Sequence, residues 1–501
     1  MNLDFSSQAD YFVALLPEIV LSLWAMLVLL VDVFQKGNRS EASSPIVAWL
    51  TVLGFVAAAA ANLWLLGVGE SGTTGMVAVD SFRVFANFIF ILAGLLATLT
   101  SIGYLDRVGI NRGEFYVLLL SSIVGMMLLG SARHLILLFL AVELMSISIY
   151  VLVGFNRREP RSSEAALKYF FLGAFASAFL LYGIALVFGS TGTLNLAEIA
   201  SATTAARETP MFVVGVGLLL IGLCFKVGVM PFHAWTPDAY DGAPTPVTSL
   251  MATGVKAAGF AAFIRVFAVT FAGAYELWVQ VLAWIAILTM FGANLIALTQ
   301  GSVKRMLAYS SIAHAGYLLV ALVAANAYGA AAFLFYLLVY TLMTAGAFAI
   351  VMANAGGAVE RNALEDFAGF GWRQPVLGAL FSVFLLSLAG FPLTGGFIGK
   401  LYILRATMES GYVLLAVSLV LASLISYFYY LRVIVVMYMR PAPEGGEVVP
   451  TSLSPQARLA VVLAAAFVIL LFFVPGPILD AAQRSVATLF TVPGAFFGLN
   501  P

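Results

Sequence analysis

Charge is scarce in this sequence. Of its 501 residues 62% are hydrophobic and only 10% charged, with a mean hydropathy of +1.04, whereas a soluble domain carries about a quarter charged residues. A water-soluble enzyme is excluded. Cysteine is nearly absent: Cys224 stands alone inside an apolar run, without a partner for a disulfide, a metal site or haem attachment, and reads as a packing residue. The net charge is zero, so no surface for nucleic acid is implied. A signal peptide's basic start and small-residue cleavage site are also missing; Asp4 and Asp10 lead into a full-length span, and the first helix is expected to stay.

What is abundant is long apolar runs. They recur from end to end at roughly 20 residues, enough to cross a hydrocarbon core of about 30 Å as a helix. Their continuity, without alternation, argues for helices rather than barrel strands. The expected fold is an all-α integral membrane protein of about 14 transmembrane helices. Spans are predicted near 11–34, 46–67, 79–104, 115–131, 133–154, 164–189, 210–231, 244–269, 277–299, 303–324, 329–354, 375–407, 411–438 and 457–483. The longest polar connections, 190–209, 355–374 and 440–456, are too short to fold alone and read as loops.

Basic residues are retained on the cytoplasmic side during insertion. With this span order Lys36, Arg39, Arg107, Arg112, Arg157, Arg158, Arg161, Lys304, Arg305, Arg361, Arg373, Arg440 and Arg458 fall on one side, against Arg133, Arg207 and Arg484 on the other. Both termini are then expected on the non-cytoplasmic side.

Two spans are interrupted, at Gly228 to His233 around Pro231, and at Gly390-Phe391-Pro392 with Gly395-Gly396. Broken helices at matching places in two halves mark an ion path in transporters. A faint repeat fits: Ala165 to Ser177 resembles Ala332 to Ala347, pairing span 6 with span 11 and span 7 with span 12. Elements five apart run oppositely, so two inverted five-helix repeats are expected, with spans 7 and 12 broken. The division is 1–114 for the first three helices, 115–270 and 271–440 for the repeats, and 441–501 for the last helix.

Ionisable groups near a bilayer centre are costly and are kept for function or tight pairing. Glu143 is central in span 5, Lys226 precedes the first break, Lys256 is central in span 8, and Lys400 follows the second break. Burial lowers a lysine pKa and raises that of a glutamate, while pairing restores both charges. A Glu143 that turns toward and away from Lys226 would therefore switch that lysine, and a water-linked string of such groups conducts protons without a redox cofactor. The bland alternative is a set of structural ion pairs. Lys168 competes with snorkelling to the interface, His314 with a simple hydroxyl bond, and His233 with a capping role. His134, Arg265 and Arg405 read as surface or snorkelling residues, and Asp238 and Asp241 as turn and capping residues.

The stretch Phe225-Lys226-Val227-Gly228-Val229-Met230-Pro231-Phe232-His233-Ala234-Trp235-Thr236-Pro237-Asp238, running on through Gly242-Ala243-Pro244-Thr245-Pro246-Val247-Thr248, resembles the antiporter-like subunits of respiratory complex I. The last seven residues, and Pro17-Glu18-Ile19-Val20 near the start, are most similar to subunit N. Lys304 to Tyr317 and Gly390 to Phe397 carry further likeness. The resemblance implies a proton relay through Glu143, Lys226, Lys256 and Lys400, with Lys168, His233 and His314 as lesser candidates. It also implies that this chain binds no metal or cofactor; FMN, iron-sulfur clusters and quinone belong to other subunits. Expected partners are the other complex I membrane subunits, paralogous antiporter-like chains and small ones, in a hetero-oligomer within the lipid bilayer of a bacterial cell membrane. Two alternatives stay open: a subunit of a multi-chain cation/proton antiporter, and a structural scaffold of complex I.

Overall fold

The computed structural model describes residues 2–35, 43–70, 75–324, 326–354, 360–441, 453–487 and 489. Lys36 and Arg39, counted above on the basic side, lie outside them. Helices dominate, because backbone groups facing lipid must be satisfied within their own segment. The spans are α1 (Leu16–Gln35), α2 (Pro45–Trp64), α3 (Ser81–Ser101), α4 (Gly113–Ser131), α5 (Leu135–Val153), α6 (Pro160–Thr191) and α7, split into Pro210–Val227 and Trp235–Gly242. They continue with α8 (Thr245–Thr270), α9 (Tyr275–Leu298), α10 (Val303–Ala324), α11 (Ala327–Ala353), α12, split into Pro375–Ala389 and Gly395–Glu409, α13 (Val413–Met439) and α14 (Pro455–Phe473). Among the described residues 13 helices are long and apolar enough to cross a membrane; the broken α12 supplies the fourteenth span.

Local chemistry sets the ends. Ser44 caps α2 ahead of Pro45, Asp80 caps α3 through the Arg83 amide, and Ser454 caps α14 ahead of Pro455. The two breaks share one geometry. Gly228 (φ +70°) ends the first half of α7, donating to Cys224 and Phe225 carbonyls, and the Val229 amide also reaches Cys224. Gly390 (φ +85°) does the same for α12 with Leu386 and Ser387, the Phe391 amide reaching Leu386. Left-handed backbone at both points favours glycine. As α6 packs against both halves of α7, so α11 packs against both halves of α12, the arrangement of two repeats five helices apart.

Burial separates centre from periphery. The core windows of α8, α10 and α11 are 94% buried, against 33% for α1 and α6, so the central axis runs along α8, α10 and α11. Within α8 the backbone is π-helical over Met251–Val255 and Ile264–Thr270, with an α-helical stretch, Lys256–Phe263, between them. Such widened turns are frequent at functional sites.

Several boundaries differ from expectation. The first predicted span is two helices, Gln8–Ala14 and α1, because Pro17 sits where a helix begins. Predicted span 14 stops at Phe473; after Pro475 an amphipathic helix, Gly476–Ala487, turns back to pack on α3 and α11. The connection 190–209 contains a helix, Leu196–Ala206, capped by Asn195. The connection 355–374 holds two short helical turns, Leu364–Phe367 and Phe370–Arg373, among its described residues. A two-residue parallel ribbon joins Asn2–Leu3 to Gly69–Glu70.

Candidate functional site: a line of buried lysines

Lys226 occupies the last turn of the first half of α7, where unsatisfied carbonyls favour a cation. Its Nζ donates to Ser146 Oγ at 2.7 Å. Ser146 lies on α5, one turn after Glu143, and itself donates to the Val142 carbonyl. Glu143 is half-buried and accepts from Ser177 Oγ on α6. No ion pair joins Glu143 to Lys226; the serine stands between helix and lysine. Gly259 of α8 closes on the same lysine, since a Cβ there would lie 3.5 Å from Lys226 Cγ and 2.9 Å from Val227 Cγ1.

Lys256, three residues before Gly259, points the other way. Its ammonium donates to the hydroxyl and the carbonyl of Ser311 on α10, and the Tyr340 hydroxyl of α11 donates to the same Ser311 oxygen at 2.9 Å. One turn on, His314 is buried with Nδ1 2.7 Å from Tyr336 Oη and Nε2 3.3 Å from Tyr430 Oη. Another turn on, the Tyr317 ring faces Lys400 Nζ, 4.6 Å from the ring centroid. Ser311, His314 and Tyr317 recur at helical spacing, so one face of α10 runs from Lys256 to Lys400.

Lys400 sits in the second half of α12 and reaches back across the break. It donates to Leu388 O at 3.1 Å and Ala389 O at 2.9 Å, the last carbonyls of the first half. Gly390 leaves room for this, because a Cβ there would come within 2.9 Å of Lys400 Cδ. All three lysines are at most 6% exposed, and among the described residues none has a carboxylate partner.

The chain has well-matched relatives among known proteins. Residues 132–426 match the family described as NADH:quinone oxidoreductase/Mrp antiporter, transmembrane. The chain is 44% identical to NADH-quinone oxidoreductase subunit N of Trichlorobacter lovleyi over 474 residues, covering 94% of this chain and 96% of the relative. It is also 44% identical to subunit N 1 of Sorangium cellulosum over 500 residues, covering 95% and 98%. The chain belongs to the NADH-quinone oxidoreductase subunit N family. A chain of respiratory complex I from Thermus thermophilus, solved with bound aureothin, superposes with a TM-score of 0.78 at 37% identity, covering 93% of this chain and 99% of that one. A chain of the Mrp complex from Dietzia sp. superposes at 0.82 with 19% identity, a likeness of fold alone.

In this subunit N family member two of the lesser candidates, Lys168 and His233, lie off the buried line, while the third, His314, lies on it. Lys168 is 47% exposed and pairs with Glu164 at 2.8 Å and Asp238 at 3.1 Å. His233 is half-buried beyond Pro231, its Nδ1 enclosed without a hydrogen-bond partner. Cys224 is buried. Four expectations change. Arg265 does not snorkel: it is 5% exposed, clamps Asp80 through two bonds of 2.9 Å and donates to the Gly130 carbonyl. His134 is the cap of α5, accepting from the Ile136 amide. Asp238 is an ion-pair residue shared by Lys168 and Arg305 rather than a turn residue. Asp241 is not a cap; the N-cap position of α8 is held by Pro244.

Three buried ion pairs escaped the sequence reading. Arg83, fully buried on α3, meets both Glu18 oxygens at 2.7 and 2.6 Å. Asp80 meets Arg265. Lys304, 1% exposed, meets Glu360 at 2.7 Å. Glu360 also accepts from Tyr104 and from the amide and hydroxyl of Thr245. Burial pushes its carboxyl up, but the Lys304 ammonium and these hydrogen bonds outweigh it and hold the carboxyl at about 2. The hints in sequence were Glu18, inside the Pro17 to Val20 motif, and Lys304, at the head of the Lys304 to Tyr317 stretch.

Proposed function

We propose that this chain carries protons across the membrane through Lys226, Lys256 and Lys400, with Glu143 and His314 as companions, driven by NADH-to-quinone electron transfer in other subunits. As a subunit N family member it is one membrane subunit of NADH:quinone oxidoreductase, assembled beside other membrane subunits. FMN, iron-sulfur clusters and quinone are assigned to its partners, and this chain supplies no redox group. The division 1–114, 115–270, 271–440 and 441–501 follows the two repeats.

The observation that supports the relay is the partner set of the three lysines. A buried charge kept for stability is matched by an opposite charge, as at Arg83, Arg265 and Lys304. Lys226, Lys256 and Lys400 meet hydroxyls, carbonyls and a ring instead. Those acceptors take an N–H from an ammonium or from a neutral amine, so each site accommodates both protonation states. The break in α12 supplies the carbonyls that hold Lys400, and Lys226 sits directly before the break in α7. The basic residues of the connections near Arg107, Arg157, Lys304 and Arg373 support an orientation with this end cytoplasmic and the termini opposite.

The test is proton pumping against NADH:quinone turnover in vesicles carrying Lys226→Ala, with assembly checked on the same preparation. Joint loss of pumping and turnover in an assembled complex supports the relay. Normal pumping in an assembled complex ends it and leaves a scaffold.

A further inference from the structure

α9 carries an amide deep in its apolar run. Asn294 is the lone polar side chain between Thr289 and Thr299 and is fully buried, and a buried amide is kept only where its hydrogen bonds are met. They are met on α9, α10 and α13. Its Nδ2 lies 2.7 Å from Met290 O on α9, 3.1 Å from Tyr317 Oη on α10 and 3.1 Å from Ala422 O on α13. Its Oδ1 accepts from Tyr429 Oη of α13 at 2.8 Å. Gly316 lets α10 come this close to α9, because a Cβ there would lie 2.7 Å from Met290 Cγ and 3.1 Å from the Met290 nitrogen.

The hydroxyl that Asn294 holds belongs to the ring that faces Lys400. Tyr317 is buried, and with its Oη fixed it presents its face to Lys400 Nζ, 4.6 Å from the centroid. On its other side Lys400 meets the Leu388 and Ala389 carbonyls, and Tyr427 Oη of α13 donates to the next carbonyl, Gly390 O, at 2.9 Å. One helix thus grips both sides of the lysine: α13 reaches the ring side through Tyr429 and Ala422 and the carbonyl side through Tyr427.

The two sides differ in what they recognise. A carbonyl accepts an N–H from an amine or an ammonium, whereas the negative face of an aromatic ring attracts the cation. Among the described residues neither Lys226 nor Lys256 has a ring in cation contact. Lys400 is therefore the lysine of the line whose surroundings discriminate between the two forms.

We propose that the Tyr317 ring is the seat that holds the Lys400 ammonium, and that Asn294 is a positioning residue that fixes this ring, so that the packing of α13 sets how firmly Lys400 keeps its proton. Asn294 carries no proton itself, since its amide is committed to α9, α10 and α13. The seat rests on the relay reading of Lys400, and the experiment separates the two.

NADH-driven pumping is measured in inverted vesicles holding the assembled complex, with assembly checked for each variant. Tyr317→Leu, which removes the ring, is expected to lower pumping about tenfold, the size of a desolvated cation–π contact. Tyr317→Phe keeps the ring and loses the bond to Asn294, and Asn294→Leu loses the same bond from the other side; each is expected to cost about threefold. Because both act through one bond, the two together should cost no more than either alone. Equal pumping in Tyr317→Leu and Tyr317→Phe overturns the ring seat. Asn294→Leu at the native level, or a double variant whose loss is the product of the two single losses, overturns the positioning role. That pair stays decisive where Tyr317→Leu fails to assemble: native pumping in both overturns the proposal. Lys400→Ala is measured beside them. Normal pumping there means that the relay itself has failed and the seat with it, whereas a dead Lys400→Ala with native pumping in Tyr317→Leu removes the seat alone.

Discussion

The ends of the molecule and its midline treat buried charge in opposite ways. At one end Arg83 meets Glu18 and Arg265 meets Asp80; at the other Lys304 meets Glu360, each cation receiving a carboxylate and further hydrogen bonds. Along the midline Lys226, Lys256 and Lys400 receive hydroxyls, carbonyls and a ring, and among the described residues no carboxylate lies in ion-pair contact with them. Pairing fixes a proton, because losing it would strand the partner charge. Dipoles release it more cheaply. The ends therefore read as static clamps, and the proposed relay places its exchangeable protons at the midline.

The largest effect that would break this comparison is at the midline. Lys226→Ala is expected to cut redox-driven pumping about a hundredfold, the scale of a lost proton-transfer group, with the complex assembled; pumping assays in vesicles check it. At the ends, Arg83→Met is expected to cost about 3–5 kcal/mol by stranding the Glu18 carboxylate. It should appear as a complex that denatures sooner in detergent, and Glu18→Leu added to Arg83→Met should recover most of the loss. If Arg83→Met instead stops pumping in a complex of normal stability, the clamp reading of the ends is wrong.

Ser146→Ala sharpens the comparison at smaller scale. Removing the hydroxyl that receives Lys226 deletes one hydrogen bond of about 1–3 kcal/mol, and pumping should slow by about tenfold, less than when the lysine itself is lost. Acid provides a fourth measurement. Glu360 is held at about 2 against an ordinary 4.5, so its contribution to stability is complete above 4.5 and is lost as pH falls toward 2. Thermal unfolding of purified complex should show this acid loss in the native chain and less of it in Glu360→Gln. The smallest effect is expected off the line: Lys168→Ala, exposed and pairing at the surface, should leave pumping and turnover near native values. A dead Lys168→Ala would extend the relay beyond the buried midline.

Much of this was legible in sequence, for reasons rooted in the lipid solvent. Fourteen spans could be read because a hydrocarbon core demands about 20 apolar residues per crossing. The breaks at Gly228 and Gly390 stood out because glycine and proline interrupt such runs visibly. Boundaries failed where amphipathic helices lie outside the core: Leu196–Ala206 and Gly476–Ala487 carry enough polar residues to pass for loops or to blur into a span. The repeat emerged from order and direction more than from identity of residues.

Sequence by itself determined which charges are exceptional. A lysine in the middle of an apolar run is costly wherever the helix is placed, so Lys226, Lys256 and Lys400 declared themselves without coordinates. Only the tertiary structure decided what each charge meets. Glu18 and Arg83 are 65 residues apart, Asp80 and Arg265 185, and Lys304 and Glu360 56. A carboxylate in a connecting segment looks the same whether it faces water or closes on a buried ammonium. Partnership depends on how α3, α8 and α10 pack, and that packing turns a list of costly charges into ion pairs at the ends and, between them, lysines held by hydroxyls, carbonyls and a ring.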